Sequence, residues 1–224
     1  MGDVTILIAC GLLREVKIMQ RPGIVPLAGG GVAAQLEAAL EGYIAQNPAT
    51  GALFSSGIAG ALDPALAVGD VVIDAPPTLA DQLLALLPGA RTGKIVGRSR
   101  ITATMVEKSL LRSATGAAAV DMESHIAARV AARHGLPFAA IRTISDTAQD
   151  SLPPAALVGM KANGGVALGR VLASLARRPA QLPALLRTGR SAETAFGALG
   201  RVYDTLVRVG VGRLDLGKLP LDMG

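Results

Sequence analysis

The chain has 224 residues, of which half are hydrophobic and 17% are charged, and its formal net charge is +5. This length can build one domain with a substantial core and does not require two. Glycine, proline or charged residues interrupt every apolar run well short of the roughly 20 residues that a membrane-spanning helix needs, so no spanning helix is predicted. The three Phe and two Tyr residues offer few platforms for stacking bases, so nucleic acid is not an expected partner.

The first ten residues and the cysteine content indicate the compartment. Residues 1–10 show neither a basic leader nor a small-residue cleavage site. The single cysteine, Cys10, cannot form an internal disulfide, and at the end of an apolar run it is interpreted as a buried side chain. We therefore expect a cytoplasmic protein.

Strand-like and helix-like segments alternate along the chain. The predicted strands are residues 4–9, 53–56, 71–74, 120 and 138–144, and the predicted helices are residues 32–45, 102–113, 124–134 and 165–176. A glycine turn at residues 29–31 precedes the first helix but lacks the glycine spacing of a dinucleotide site. The alternation predicts an α/β fold, a three-layer sandwich with a mostly parallel central sheet.

Two carboxylate motifs follow strand-like runs in the second half of the chain. Asp121 and Glu123 come directly after one run, and the pair Ser145-Asp146 ends the next. In open α/β sheets, ligands bind beyond the carboxyl ends of the strands. We therefore expect these acids to face one crevice that handles hydroxyl groups and protons.

These motifs resemble the nucleoside phosphorylase superfamily, especially the methylthioadenosine/S-adenosylhomocysteine nucleosidases. The resemblance rests on Met122-Glu123, on Ser145-Asp146 and on residues 56–62 leading to residues 68–72, and it covers residues 4–176. The Asp-Met-Glu-Ser form of the first motif, the short middle section and the basic tail look most like the hopanoid-associated phosphorylases. That likeness implies adenosylhopane as the substrate and a sandwich fold of the nucleoside phosphorylase type.

The resemblance also implies roles for individual residues. Asp146, oriented by Ser145, would protonate N7 of adenine so that the base departs as a neutral molecule. Glu123 would accept hydrogen bonds from the ribose hydroxyls, and Met122 would pack against the sugar face. Further substrate contacts are implied for Ser56, Gly57 and Ile101.

The attacking group is either water or phosphate. Glu15 matches the position at which the nucleosidases carry the glutamate that activates water, although a glutamate in a first helical turn is often only a partner for the helix dipole. Phosphate would instead be a co-substrate, and Arg14 is its candidate ligand. Ser55 stands where the phosphorylases carry a phosphate-binding arginine, and Ile58 where they carry a serine, so the residues present favour hydrolysis.

Other functional classes have weaker support in the sequence. His125 and His134 are nine residues apart, a spacing that does not match a helical metal pair, so no metal site is predicted. No cofactor other than phosphate is expected. A dinucleotide-dependent oxidoreductase would lack its glycine motif, and a non-catalytic lipid-binding or scaffold protein would not need Glu123 and Asp146.

Most of the excess positive charge lies in the tail. Residues 1–175 carry 14 basic and 13 acidic residues, whereas residues 176–224 carry 8 and 4. We predict a nucleosidase-like domain over residues 1–176 and a basic helical extension over residues 177–224. Ser191 is the expected N-cap of a tail helix whose apolar stripe, within residues 195–207, either packs on protein or attaches the enzyme peripherally to the inner membrane face. A homo-oligomer is also expected.

Overall fold

The computed structural model describes residues 5–158, 164–165 and 167–209. Its strands are β1 (Thr5–Cys10), β2 (Ile24–Ala28), β3 (Thr50–Ala61), β4 (Val71–Asp74), β5 (Arg91–Thr92), β6 (Ile95–Gly97), β7 (Ala119–Asp121) and β8 (Phe138–Asp146). Its helices are α1 (Leu13–Met19), α2 (Ala33–Gln46), α3 (Pro77–Leu86), α4 (Met105–Thr115), α5 (Ser124–Arg133), α6 (Pro154–Leu157), α7 (Leu168–Arg177) and α8 (Leu182–Val209), with a 3₁₀ turn at Pro179–Gln181 before α8.

The strands form one mixed sheet in the order β2-β1-β3-β8-β4-β5. Strands β2, β1, β3 and β8 run parallel, and β4 is antiparallel to β8. The long strand β3 also pairs with β7, which in turn pairs with β6. Because β1 and β8 are parallel neighbours of β3, their carboxyl ends lie at one edge of the sheet. Strand β7, which carries the first carboxylate motif, is antiparallel to β3 and reaches the same edge by pairing with the end of β3 at Gly60.

Helices cover both faces of this sheet. Strand residues alternate between the two faces, so Ile6 and Ile8 of β1 enter one core, and Leu7 enters the other. The first core packs the sheet against α3 and α8, and the second packs it against α2 and α5. The prediction of a three-layer α/β sandwich is confirmed.

Helix α4 begins three residues later than predicted because Thr104 caps it. The Thr104 hydroxyl accepts a hydrogen bond from the backbone N–H of Glu107, and the Glu107 carboxylate accepts one in return from the backbone N–H of Thr104. Gly116 ends the helix in the left-handed conformation, with φ of 67°. These caps fix the rotation of α4, which carries Lys108 towards the sheet.

The C-terminal helices differ from the sequence prediction. The helix predicted over residues 165–176 as the last core helix corresponds to α7, which buries none of its residues and leaves Leu168 68% and Leu172 64% exposed. Helix α8 takes that place in the core. Both segments have amphipathic patterns, and the sheet packs against the longer one.

Helix α8 is part of the core rather than a free extension. It begins at Leu182, so Ser191 lies inside the helix and is not its N-cap; Pro183 sits in the first turn, where proline is tolerated. The apolar stripe predicted from the sequence faces the sheet, with Ala195, Phe196, Leu199, Val202, Tyr203 and Leu206 buried. This stripe is therefore not available to a membrane. No helix in the described part of the chain is long and apolar enough to cross one.

Candidate active site

A cavity of about 190 Å³ lies where β1, β7 and β8 end. The residues that follow β1 and the ends of β3, β7 and β8 form its walls, and Arg100, Ile101 and Thr102 before α4 complete it. Six predicted site residues line this cavity: Glu15, Ile101, Met122, Glu123, Ser145 and Asp146. The expectation that both carboxylate motifs face one crevice is therefore met by the geometry.

A buried arginine organises one end of the cavity. Arg142 of β8 is fully buried and forms an ion pair with Asp121. Its Nη2 also donates to Ser55 Oγ at 2.6 Å and lies 3.5 Å from Glu123 Oε2. Asp121 in turn accepts hydrogen bonds from the backbone N–H and the hydroxyl of Ser124, which begins α5. Asp121 thus has a structural role, and Arg142 is a cation that the sequence reading did not assign.

Glu15 is fixed at the same end by backbone donors. Its Oε2 accepts from the N–H groups of Gly11 and Leu12 at 2.9 and 2.8 Å, and its Oε1 accepts from Ile58 at 2.9 Å. Burial raises the pKa of Glu15, while Arg142 and the three N–H groups act in the opposite direction. A carboxylate held in this way keeps one orientation and is a suitable general base for water.

Gly57 permits Glu15 and Arg142 to approach each other. A Cβ atom at Gly57 would lie 2.7 Å from Arg142 Nη1 and closer still to Glu15 Oε1, and the backbone φ of 153° disfavours other residues there. Among the described residues, Arg142 Nη1 and Nε have no hydrogen-bond partner. Gly57 therefore shapes the site through its lack of a side chain and does not itself line the cavity.

Glu123 is the second buried carboxylate of this cluster. Burial, with the neighbouring charges of Asp121 and Glu15, raises the pKa of Glu123 to about 8 against the opposing effect of Arg142. Near neutral pH it can therefore donate as well as accept a hydrogen bond. Both abilities suit a residue that binds a pair of ribose hydroxyls.

Asp146 lies at the other end of the cavity and has both carboxylate oxygens engaged. Ser145 Oγ donates to Oδ1 at 2.7 Å, and the ammonium of Lys108 donates to Oδ2 at 2.5 Å. The Lys108 side chain is fully buried. Sequence reasoning missed Lys108, because a lysine on an amphipathic helix is usually exposed and nothing in the local pattern distinguishes this one.

Two predicted residues lie away from the cavity. Ser56 is fully buried, and its hydroxyl donates to the carbonyl oxygen of Ile141 at 3.0 Å. Arg14 forms an ion pair with Glu193 of α8, and its guanidinium carbon lies 4.2 Å from the centre of the Phe196 ring. Neither side chain therefore lines the cavity: Ser56 packs between strands, and Arg14 pairs α1 with α8.

The cavity holds no recognisable metal site. Across residues 5–158, 164–165 and 167–209, no group of three or more His, Cys, Asp or Glu side chains could hold a metal ion. His134 is paired with Glu41 on the surface, while His125 lies beside Gly97, and the two do not converge.

Comparisons with known proteins give the family and the fold that this chain resembles. Residues 74–176 match the family model described as the phosphorylase superfamily. No curated protein matches the chain significantly.

Solved structures share the whole fold. The chain is similar to futalosine hydrolase of Helicobacter pylori, with 14% identity and a TM-score of 0.65 over 92% of this chain and 98% of that one. It is also similar to two 5′-methylthioadenosine/S-adenosylhomocysteine nucleosidases. The H. pylori enzyme gives 17% identity and a TM-score of 0.59 over 91% and 99% of the two chains. The Colwellia psychrerythraea enzyme, in complex with adenine, gives 18% identity and a TM-score of 0.61 over 91% of this chain and 96% of that one. These likenesses show that the chain shares the fold of these proteins.

Proposed function

We propose that the protein cleaves the N-glycosidic bond of an adenosine-type nucleoside and releases adenine. The observation that carries the proposal is the pairing, across one small cavity, of the Ser145-Asp146 pair with the buried cluster of Glu15, Glu123 and Arg142. Adenine is a poor leaving group as an anion, so the departing base must be protonated. The sugar meanwhile develops positive charge, which the carboxylates of the cluster stabilise.

Water is the nucleophile that this cluster favours. Asp121 already neutralises the single buried guanidinium of this cluster, and Glu15 and Glu123 add no positive charge, so the cluster offers a phosphate dianion no net attraction. Arg14, the candidate phosphate ligand, faces α8. A water molecule in the cavity beside Glu15 would lose its proton to Glu15 as it attacks the anomeric carbon. We therefore favour hydrolysis, with phosphorolysis as the alternative.

Product analysis tests both parts of the proposal. Purified protein is incubated with methylthioadenosine, S-adenosylhomocysteine, futalosine and adenosylhopane, with and without phosphate, and free bases and sugars are quantified by mass spectrometry. We expect the base together with the free sugar, at a rate independent of phosphate. Ribose 1-phosphate formed only with phosphate would replace hydrolysis by phosphorolysis. No cleavage of any nucleoside would remove the proposed function.

For the group at the ribose 5′ position we propose a lipid, as in adenosylhopane, presented at an anionic membrane. Residues 151–192 contain six basic residues and no acidic residue. In this region Leu168 and Leu172 of α7 are exposed. Leu182 and Leu186 at the start of α8 are also exposed, by 45% and 52% respectively. Exposed leucines beside arginines suit a bilayer of anionic lipids, with each basic residue contributing about 1 kcal/mol.

Arginines occupy the other side of α7. Arg170, Arg177 and Arg178 line one cleft of about 650 Å³ between α6 and α7. Arg170 and Arg177 are about half a turn away from Leu168 and Leu172 around the helix, so α7 has an exposed apolar face opposite a basic one, which is the pattern of a helix that lies in a membrane interface. Self-association through another face stays a prediction.

A liposome assay with matched variants tests the membrane proposal. Wild-type protein should float with vesicles of phosphatidylcholine and phosphatidylglycerol at low salt and be released at high salt. The double variant Leu168→Ser/Leu172→Ser should lose binding. The control Val106→Ser/Leu110→Ser removes residues of similar exposure, 64% and 66%, from α4 and should bind normally. Equal binding by both double variants, or none by the wild type, would contradict a membrane surface on α7.

A further inference from the structure

Lys108 is a buried cation in contact with the residue proposed to protonate adenine. We propose that Lys108 is the proton reservoir of the reaction: it holds, next to Asp146, the proton that Asp146 passes to the departing base. The inference rests on the proposed function and names a positioning residue for that same site, since Lys108 acts through Asp146 and does not line the cavity.

Lys108 makes all three of the hydrogen bonds that an ammonium group can donate. Its Nζ donates to Asp146 Oδ2 at 2.5 Å, to the carbonyl oxygen of Thr147 at 2.6 Å and to that of Asp150 at 3.1 Å. An ammonium has three N–H donors, so each of them has a partner. The side chain is fully buried, and α4 is fixed by its caps, so the charge cannot turn out to solvent.

Stability alone does not explain a lysine at this position. Removing an ammonium from water costs several kcal/mol, and a buried ion pair is often no more stabilising than a well-packed apolar pair of similar volume. The ion pair also determines the protonation state of Asp146, the proposed acid. In an ion pair with Lys108, Asp146 is a carboxylate and has no proton to donate. A proton must therefore reach it before or during departure of the base.

Proton transfer from Lys108 through Asp146 balances the charges of the reaction. As the bond between the anomeric carbon and N9 breaks, its electron pair stays with the base. One proton moves from Lys108 Nζ to the Asp146 carboxylate, and the carboxyl group gives one proton to N7, so adenine leaves neutral. Lys108 becomes a neutral amine, and after product release it regains its proton through Asp146, which lines the cavity and can take a proton from water there. Gly60, whose Cβ would lie 3.0 Å from Asp146 Oδ2, leaves that oxygen close to the cavity.

The charged groups around the pair are few. Asp150 follows β8, and although burial acts to raise its pKa, hydrogen bonds from Thr147 lower it, so it stays ionised. Arg187 and Arg190 of α8 line a second cavity together with Asp146 and Asp150, and Arg100 lines the first one with Asp146. The Glu107 carboxylate accepts hydrogen bonds from the backbone N–H groups of Ala103 and Thr104. Lys108 is the cation that contacts Asp146 directly.

The test is the pH dependence of kcat for three variants at position 108. In Lys108→Met, Asp146 must hold the proton itself, and a lone aspartate titrates near about 3.9. We expect kcat at neutral pH to fall by about 10² to 10⁴, and the pH above which turnover is lost to move downwards. Lys108→Arg keeps the charge but cannot release a proton, so it should also be slow, with KM little changed. Ethylamine should restore turnover to Lys108→Ala.

The outcomes separate this inference from the proposed function. The reservoir role would be overturned if Lys108→Arg turned over at the wild-type rate. It would also be overturned if the pH profile of kcat for Lys108→Met were lower than that of the wild type but not displaced in pH. If Lys108→Arg does not fold, as judged by thermal unfolding, rescue of Lys108→Ala by ethylamine decides, and absence of rescue counts against the proposal. Should the wild type release no base, the proposed function itself fails.

Discussion

Replacing Asp146 by asparagine is expected to damage the fold as well as the chemistry. The substitution keeps the shape of the side chain but leaves the Lys108 ammonium without its counter-charge, and Lys108 is fully buried. Removing one partner of a buried ion pair costs about 3–5 kcal/mol, because the other charge remains buried and unpaired. Loss of the general acid lowers turnover by a further factor of about 10² to 10⁴.

A double-mutant cycle separates the two effects. Asp146→Asn, Lys108→Met and the double variant are unfolded by denaturant at neutral pH, and their free energies of unfolding are compared with that of the wild type. Each single variant should lose several kcal/mol, and the double variant should regain most of it while remaining inactive. If Asp146→Asn unfolds within about 0.5 kcal/mol of the wild type, as an ordinary surface substitution would, the buried ion pair is not a real feature of the folded state.

Three further changes test the cluster at the other end of the cavity. Glu15→Gln leaves at least one buried N–H group unpaired, so it should cost about 1–3 kcal/mol and abolish adenine release in phosphate-free buffer; retained release would exclude Glu15 as the base. The folded-state pKa of Glu123 is raised to about 8, so the neutral side chain stabilises the folded state. This stabilisation is complete below the ordinary pKa of a glutamate and is lost as pH rises through about 8. Glu123→Gln should therefore gain stability relative to the wild type in thermal unfolding as pH increases, by at most about 5 kcal/mol, and parallel pH profiles would contradict the shift. Gly57→Ala should lower kcat/KM at least about tenfold by displacing Glu15 and Arg142, whereas Gly89→Ala, which has positive φ but open space around it, should leave kcat/KM unchanged.

Much of the site could be predicted from the sequence because its chemistry follows the strand ends. Glu123 and Asp146 each stand beyond an apolar run, and both runs pair with the end of β3 at Gly60, which brings the two acids together. Ser145 is adjacent in sequence to the acid it contacts. Local patterns and sheet topology are sufficient for such residues.

Other features depend on contacts between distant segments. Arg142 did carry a signal, since a charged residue inside an apolar strand must find a buried partner, but the partners lie on β7 and β3. Lys108 carried no such signal, because Asp146, the carboxylate with which it pairs, is 38 residues away in the sequence. The choice between α7 and α8 as the core helix also lies outside local pattern, because both have apolar stripes and only packing on the sheet distinguishes them.

The central claim is that this cavity releases a purine base by hydrolysis, and a single-turnover experiment tests it most directly. Protein in excess over a radiolabelled 5′-substituted adenosine is quenched at intervals in phosphate-free buffer, beside Asp146→Asn/Lys108→Met as a folded control. The account predicts one equivalent of adenine and one of free sugar per nucleoside from the wild type, and at least about a hundredfold slower release from the control. Intact nucleoside with the wild type, or equal rates for the two proteins, would contradict it.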